Sequence, residues 1–237
     1  MAHALRHLIR IALLAAVLAP ALWAQAGPPA VRFTVFAAKP ITNLSFVPRP
    51  NAPPQKLQFF PTARSARAEY RGAMPLRFTD SESGEVVAEA AIPAGMIDVL
   101  LLFSPLASAP KSGGLRYQIA VLDDSAARHA AGGLAIINLS GLALSGTVNK
   151  ENVALQPGLN PTVTVGRGAT IALKTQFKGR TYQSYTGTAA LKAGERVLLI
   201  LFPPFYAGSL EVQSRLLVDQ PGGSSAKRTE TREPTKR

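Results

Sequence analysis

Short runs of alternating apolar and polar residues constrain the fold of this chain more than any other feature of its sequence. Tyr117-Gln118-Ile119-Ala120-Val121 and Thr162-Val163-Thr164-Val165 are examples. Such alternation puts one face of a β-strand in a core and the other face in water. Short strands that recur at intervals of about eight to twelve residues, separated by glycine, proline and asparagine, are typical of a sandwich or barrel. The sequence therefore predicts an all-β fold.

The strand pattern recurs along the chain from residue 31 to residue 218. The predicted strands are residues 31–36, 57–60, 85–91, 98–103, 115–122, 134–138, 142–148, 152–155, 162–165, 170–175, 181–185, 196–202 and 210–218. After the N-terminal segment, a single helical turn is predicted only over residues 125–131.

A sixteen-residue stretch is written twice. Residues 90–105 read AAIPAGMIDVLLLFSP and residues 189–204 read AALKAGERVLLILFPP, and eight of the sixteen positions are identical at an offset of 99. Each copy has an Ala-Gly turn, in which glycine adopts a positive φ without strain. An apolar strand follows, and a proline ends it. Because both apolar runs are continuous, they predict central strands that are buried on both faces.

Weaker matches flank this repeat. Residues 41–45 match 136–140 at an offset of 95, the strand that ends at Asp124 matches 211–219 at the same offset, and residues 70–72 resemble 185–187. These matches predict that one domain occurs twice in the chain.

The predicted architecture is two tandem immunoglobulin-like β-sandwich domains after a cleaved signal peptide, because a unit of about 95 residues is the size of such a domain. The predicted boundaries are 28–125 for the first domain, 126–131 for a linker and 132–219 for the second. The alternative is one larger sandwich formed from both halves. The organisation resembles that of exported bacterial proteins built from tandem immunoglobulin-like β domains. The copies differ at Met96-Ile97-Asp98 against Glu195-Arg196, so function is expected to depend on these positions and on the loops that follow each strand.

Residues 1–26 have the features of a secretory signal peptide. Arg6 and Arg10 form a basic start, residues 11–24 are apolar, and Ala24-Gln25-Ala26 predicts cleavage before Gly27. The apolar stretch has 14 residues and is interrupted by a proline, whereas a membrane-spanning helix needs about 20. The protein is therefore predicted to be exported to the periplasm or the cell exterior, with no transmembrane segment after cleavage.

The lack of cysteine and the composition of the C-terminus complete this prediction. Small eukaryotic secreted domains usually rely on disulfides, so an exported chain without cysteine is more typical of a bacterial envelope. Residues 220–237 have five basic and two acidic residues and no large apolar one. Such a segment cannot bury enough surface to order itself, so it is predicted to be a disordered basic tail.

Residues for catalysis or metal binding are scarce. His129 is the one histidine after residue 26, and a serine as close in sequence as Ser125 is not a recurrent Ser-His-Asp layout. The cluster Asp80–Glu85 has oxygen ligands of the kind that Ca²⁺ prefers. It lies between two strand-like residues, however, which favours a hairpin loop. No catalytic residue, metal ligand or cofactor is therefore predicted.

Two pairs of carboxylates, Asp123/Asp124 and Asp98/Glu89, define the alternative function. A glycosidase uses two carboxyl groups, one as a general acid and the other as a base or nucleophile. The alternative prediction is a secreted hydrolase with carboxylate chemistry.

Basic and aromatic residues are mixed within residues 56–71 and 174–185. Tyrosine rings stack on sugars, and arginine binds carboxylate or phosphate. The candidate ligand-binding residues are Arg64, Arg67, Tyr70, Arg71, Lys178, Arg180, Tyr182 and Tyr185.

The predicted function is that of a non-catalytic, exported binding or scaffolding protein of the bacterial cell envelope. The net charge of +12 becomes +10 once the two arginines of the predicted signal peptide are removed. The expected partner is an envelope protein, a glycan or an anionic polymer. Nucleic acid, which the same residue types also bind, is not expected for an exported chain.

Overall fold

The computed structural model describes residues 30–110 and 113–220. The predicted signal peptide, residues 1–26, and all of the predicted tail except Gln220 lie outside the described residues. The described chain is all-β, with strands and no helix, which confirms the predicted class. Accordingly, it contains no helix of the length and hydrophobicity that crossing a membrane requires.

Residues 31–124, which we call the N-terminal half, form eight strands. They are β1 (Val31–Ala37), β2 (Leu44–Phe46), β3 (Gln55–Lys56), β4 (Ala68–Tyr70), β5 (Leu76–Asp80), β6 (Val86–Ala90), β7 (Asp98–Pro105) and β8 (Tyr117–Asp123).

Residues 133–219, the C-terminal half, form nine strands. They are β9 (Gly133–Asn138), β10 (Leu144–Val148), β11 (Glu151–Leu155), β12 (Gly158–Leu159), β13 (Val163–Thr164), β14 (Gly168–Phe177), β15 (Arg180–Ala190), β16 (Arg196–Pro204) and β17 (Val212–Asp219).

Each half forms two sheets with the same strand order. The N-terminal half has β4-β1-β7-β8 and β3-β2-β5-β6, and the C-terminal half has β12-β9-β16-β17 and β11-β10-β14-β15, with β13 also paired to β9. The orders correspond strand for strand, because β9 takes the place of β1, β16 that of β7 and β17 that of β8. In both halves the central pair, β1 with β7 and β9 with β16, is parallel.

Most predicted strands are present, with shifted ends. The predicted strand at 57–60 is wrong, since only the Leu57 amide continues the pairing by donating to the Leu44 carbonyl at 2.8 Å. Strands β2, β4 and β5 were not predicted, because runs of three to five residues are too short for alternation to be recognised. The predicted turn at 125–131 is present, with the Arg128 and His129 amides donating to the Ser125 carbonyl.

Each half has its own apolar core between its two sheets. The N-terminal core is aromatic: the ring of Phe103 lies 5.3 Å from that of Phe59 and 5.1 Å from that of Phe78, edge to face in both cases. The C-terminal core is mostly aliphatic and includes Leu134, Ile171 and Leu199, which are almost completely buried.

A third apolar cluster joins the two halves. It contains Phe36, Leu100, Leu102, Ala135, Ile137, Leu198, Ile200 and Leu217. These residues are on the outer faces of the sheets β4-β1-β7-β8 and β12-β9-β16-β17, so these two sheets pack face to face and the molecule has four layers. Strands β7 and β16 are consequently buried on both faces over most of their length, which confirms the prediction made from their continuous apolar sequences.

The repeated stretch forms the same turn and the same strand in both halves. Gly95 and Gly194 have φ angles of 87° and 81°, and the amide that follows each glycine donates to the carbonyl three residues earlier.

Along the strand itself, however, equivalent residues are offset by 98 and not by 99. Val99, Leu101 and Phe103 face the N-terminal core, as Val197, Leu199 and Leu201 face the C-terminal core. An offset of 99 would instead pair Leu100, which faces the other half, with Leu199, which faces its own core. A shift of one residue reverses every side chain of a strand, so the N-terminal copy has one extra residue between Gly95 and Val99.

Two of the three weaker matches are not structural equivalents. Residues 41–45 lead into β2 whereas 136–140 end β9, and Tyr70 ends β4 whereas Tyr185 lies in β15. The third match does correspond, because Leu122 pairs with Leu100 as Leu217 pairs with Leu198. Asp124 and Asp219 are therefore equivalent residues.

Equivalent strands of the two halves run in the same direction. Strands β7 and β16 begin at Asp98 and Arg196, which lie in one group of ion pairs described below. We call this end of the molecule the junction end. The opposite end, the loop end, carries the β5–β6, β7–β8, β14–β15 and β16–β17 loops.

Candidate binding surface

The second group of predicted binding residues lies on the β14–β15 hairpin of the C-terminal half. Lys178 and Arg180 are at its tip and exposed, and the Lys178 Nζ lies 5.4 Å from the centre of the Phe177 ring. Tyr182 is 37% exposed. Tyr185 is half-buried against the C-terminal core, and burial raises the pKa of its hydroxyl. The structure thus brings Lys178, Arg180 and Tyr182 to one exposed tip.

The β16–β17 loop adds two aromatic residues that the sequence did not single out. Phe205 and Tyr206 are 73% and 72% exposed, the highest values among large apolar side chains of the described residues. Their rings contact each other edge to face, with centres 4.8 Å apart. The segment Pro203–Leu210 that carries them has no charged residue.

The two hairpin tips lie at the same end of the C-terminal half. After β15 the chain turns within residues 191–195 and enters β16 in the facing sheet. Strand β16 therefore runs back towards the end that carries the β14–β15 tip, and the β16–β17 loop emerges at that same end. Strands β15 and β17 also approach each other, because Tyr185 and Leu216 both pack against the C-terminal core. We call Phe177, Lys178, Arg180, Tyr182, Phe205 and Tyr206 together the aromatic patch.

The surroundings of the aromatic patch are basic and apolar. Lys174 is exposed on β14 and Arg215 half-buried on β17, and Glu211 is the acidic residue of the β16–β17 loop. Leu139, which follows β9, is 37% exposed at the same end. The corresponding β5–β6 hairpin of the N-terminal half is acidic, with Glu82 and Glu85 in its loop.

That β5–β6 loop has a structural role for its carboxylates. The Asp80 carboxylate accepts hydrogen bonds from the Glu82 amide at 2.9 Å and from Arg116 Nη2 at 2.6 Å, and these bonds lower the pKa of Asp80. The loop closes a hairpin, with the Asp80 amide donating to the Glu85 carbonyl. Among the described residues, no group of three or more acidic or histidine side chains is placed to hold a metal ion.

The first group of predicted binding residues is dispersed. Arg64 and Arg67 point into the contact between the halves, with side chains 3% and 13% exposed. Tyr70 is buried in the N-terminal core and donates to the Ala73 carbonyl. Arg71 is exposed and paired with Glu69 at 2.6 Å. These four residues do not form one surface.

Arg196 is the centre of the ion pairs at the junction end, which we call the junction network. It is fully buried, and its Nη2 donates to the carboxylates of Asp124 and Asp219 at 2.7 and 2.8 Å. Its Nη1 donates to the carbonyls of Asp124 and His129, both at 2.8 Å. Since Asp124 and Asp219 are equivalent residues, one carboxylate from each half meets at this guanidinium.

Arg64 and Arg67 extend the junction network. Arg64 Nη1 donates to Asp124 at 2.6 Å, and Arg67 contacts Asp98 at 3.2 Å and Asp219 at 3.4 Å. Of the positions where the two copies differ, Arg196 therefore joins the halves directly, and Asp98 contributes by pairing with Arg67, which also contacts Asp219. This structural role was not apparent from the sequence.

The Asp124 carboxyl is kept ionised. Burial alone would raise its pKa, but His129, Arg64 and Arg196 outweigh burial and lower the pKa of Asp124. Asp98 is paired with Arg32 and Arg67, and Glu89 with Arg77. A general acid needs a pKa raised towards neutrality, so arginine-paired carboxylates are poorly suited to that role.

We expect the lowered pKa of Asp124 to make the fold sensitive to acid. Since the folded-state pKa lies below the usual value of 3.8, the ionised group stabilises the protein above that pH. This stabilisation is lost as the pH falls through the folded-state pKa. Urea unfolding at pH 7 and about pH 3 should show a smaller loss of stability for Asp124→Asn than for the parent protein.

Asp123→Asn is the control for this experiment, because it makes the same change of charge outside the junction network. It should lose as much stability in acid as the parent. Equal acid losses in all three proteins would contradict a role for Asp124 in the acid response.

A cleft of about 770 Å³ lies between the halves, beside the junction network. Leu100, Leu122 and Leu198 form part of its apolar wall, and Asp124 and His129 form part of its polar end. The polar groups at that end already have protein partners: Asp124 is bound by two arginines, and His129 Nε2 lies 3.2 Å from the Gly133 carbonyl oxygen. The aromatic patch is the more exposed candidate for a binding surface.

Comparison with known proteins gave no match, either to a family model or among curated proteins.

Proposed function

We propose that this chain is an exported binding or scaffolding module of the bacterial cell envelope, without catalytic activity, that contacts an anionic polymer or glycan through the aromatic patch. The observation that carries the proposal is that two hairpin tips at one end of the C-terminal half expose Lys178 and Arg180 on one tip and Phe205 and Tyr206 on the other. Aromatic faces stack on sugar rings, and guanidinium groups bind carboxylate or phosphate. The envelope location rests on the predicted signal peptide and on the absence of cysteine.

The proposed architecture is two tandem β-sandwich domains, 28–125 and 132–219, with a linker at 126–131. The identical sheet orders of the two halves and their separate cores support this division. The domains are immunoglobulin-like in size and in having two packed sheets. Their parallel central pairs distinguish them from the antiparallel sheets of an immunoglobulin domain.

A secreted hydrolase is the alternative, and the arrangement of its carboxylates argues against it. Asp123 and Asp124 are adjacent in sequence, and the second is buried between Arg64 and Arg196. Asp98 and Glu89 each pair with arginine. These ion pairs support a structural role for the carboxylates at the junction end.

Replacing both Lys178 and Arg180 by glutamine is expected to weaken binding to polygalacturonate, an anionic glycan, by about tenfold. Each lost charge should also lower the slope of the logarithm of affinity against the logarithm of salt concentration by about one. Affinities would be measured by calorimetry between about 0.05 M and 0.5 M salt, with dextran as a neutral glycan.

The matched control is Lys150→Gln with Arg167→Gln, since both residues are exposed near the opposite end of the C-terminal half. This variant makes the same change of net charge and should bind as the parent does. Absence of binding to any glycan or polyanion, or equal weakening by both double variants, would refute the aromatic patch as the binding surface.

A further inference from the structure

The loop Pro203–Leu210 differs from an ordinary polar hairpin loop. It has two adjacent prolines, two aromatic residues more than 70% exposed and no charge. Single water-exposed apolar side chains are common. A contiguous pair at a protruding tip, however, indicates a surface that binds a partner.

The charges around this loop are complementary to an anionic partner. Lys178 and Arg180 occupy the β14–β15 tip at the same end of the C-terminal half, and Lys174 is exposed on β14 four residues before Lys178. Glu211 is the single acidic residue between Pro203 and Val218. Apolar tips with flanking basic residues are suited to the interface of an anionic bilayer, where aromatic rings lie at headgroup level and lysine and arginine face the lipid phosphates.

From this combination we infer that the β16–β17 loop inserts Phe205 and Tyr206 into the headgroup region of an anionic lipid bilayer, while Lys178 and Arg180 contact the lipid phosphates. The inference rests on the proposed function, because it uses the same aromatic patch and adds an anionic membrane surface to the partners that this patch binds. A membrane is chosen over a small molecule because the apolar groups are on convex tips, whereas small molecules are usually held in concave sites.

The four-layer architecture determines how the protein would meet the bilayer. The acidic β5–β6 tip and the basic β14–β15 tip belong to the two outermost sheets, about three sheet spacings or 30 Å apart. An anionic surface repels the first and attracts the second, so the protein is expected to tilt with its C-terminal half against the lipid. Phe205 and Tyr206 belong to the sheet next to the basic tip, which suits this orientation.

The chain supplies a convenient spectroscopic test. Its single tryptophan, Trp23, precedes Gly27, so a chain starting at Gly27 has none while it retains every described residue. Phe205→Trp then places one reporter on the loop. Anionic vesicles of phosphatidylglycerol and phosphatidylcholine should shift its emission to the blue, and phosphatidylcholine vesicles alone should not. Salt should reverse the shift, because the attraction to anionic lipid is screened.

Co-sedimentation with the same vesicles tests the two components separately. Phe205→Ser with Tyr206→Ser should weaken binding by at least about tenfold, and Lys178→Gln with Arg180→Gln should weaken it about fivefold for each charge. Val47→Ser with Met74→Ser is the control, because those residues are 41% and 44% exposed on the N-terminal half. This control variant should bind as the parent does.

Three results would overturn the inference: no binding to vesicles, equal binding to neutral and anionic vesicles, or undiminished binding of the double serine variant. Binding to soluble polygalacturonate without binding to vesicles would overturn the inference and leave the proposed function intact. Binding to neither vesicles nor polygalacturonate would contradict both the inference and the proposed function.

Discussion

Replacing Arg196 by methionine is expected to lower the free energy of unfolding by about 3–5 kcal/mol. The substitution removes a fully buried guanidinium and leaves the carboxylates of Asp124 and Asp219 without their shared partner. The carbonyls of Asp124 and His129 lose their hydrogen-bond donor as well. Urea unfolding followed by far-ultraviolet circular dichroism would measure the loss.

Arg128→Met is the matched control for this prediction. Its Nε lies 3.7 Å from the Asp123 carboxylate, and its side chain is 77% exposed. An exposed pair of this kind contributes about 1 kcal/mol at most. Similar losses for the two variants would show that the junction network contributes no more than a surface ion pair.

Phe103→Ala is expected to cost about 3–5 kcal/mol, and Phe202→Ala clearly less. The two phenylalanines match in the repeated stretch at an offset of 99, but the structure places them on opposite faces. Phe103 is 2% exposed and packs edge to face against Phe59 and Phe78. Phe202 is only partly buried, at the margin of the cluster between the halves.

This pair of variants also tests the offset of 98 along the repeated strand. If the strands were equivalent at 99, both rings would lie in the cores of their own halves, and the two substitutions would cost the same. Equal losses in urea unfolding would therefore contradict the assignment of faces, whereas a larger loss for Phe103→Ala would support it.

The sequence predicted the all-β class and the burial of β7 and β16, because both follow from local patterns. Alternation within a strand and continuous apolar runs report directly on burial. The short strands β2, β4 and β5 were beyond prediction, since they owe their existence to partners distant in sequence: Ser45 pairs with Thr79, and Val31 with Tyr70. The one-residue difference between the copies was also beyond prediction, but for another reason: a leucine-rich run matches itself at either offset.

The candidate surface was predicted in part. Lys178, Arg180 and Tyr182 were recognised from the mixing of charge and aromatic side chains within one segment. Phe205 and Tyr206 are more than twenty residues away, and only the direction of β16 brings them to the same end as the β14–β15 tip. Arg64 and Arg67 looked like surface residues by composition alone, and their carboxylate partners Asp98, Asp124 and Asp219 come from three other places in the chain.

The positions of the two described chain ends have a practical consequence. β1 begins beside the start of β7, and β17 ends at Asp219, which is bound by Arg196 at the start of β16. Residues 31 and 219 are thus neighbours on the side of the molecule opposite the exposed aromatic loop. A label, a fusion partner or a solid support attached next to residue 31 or residue 219 would leave that loop facing outward. A circular permutant that joins these ends and opens elsewhere should keep the same orientation.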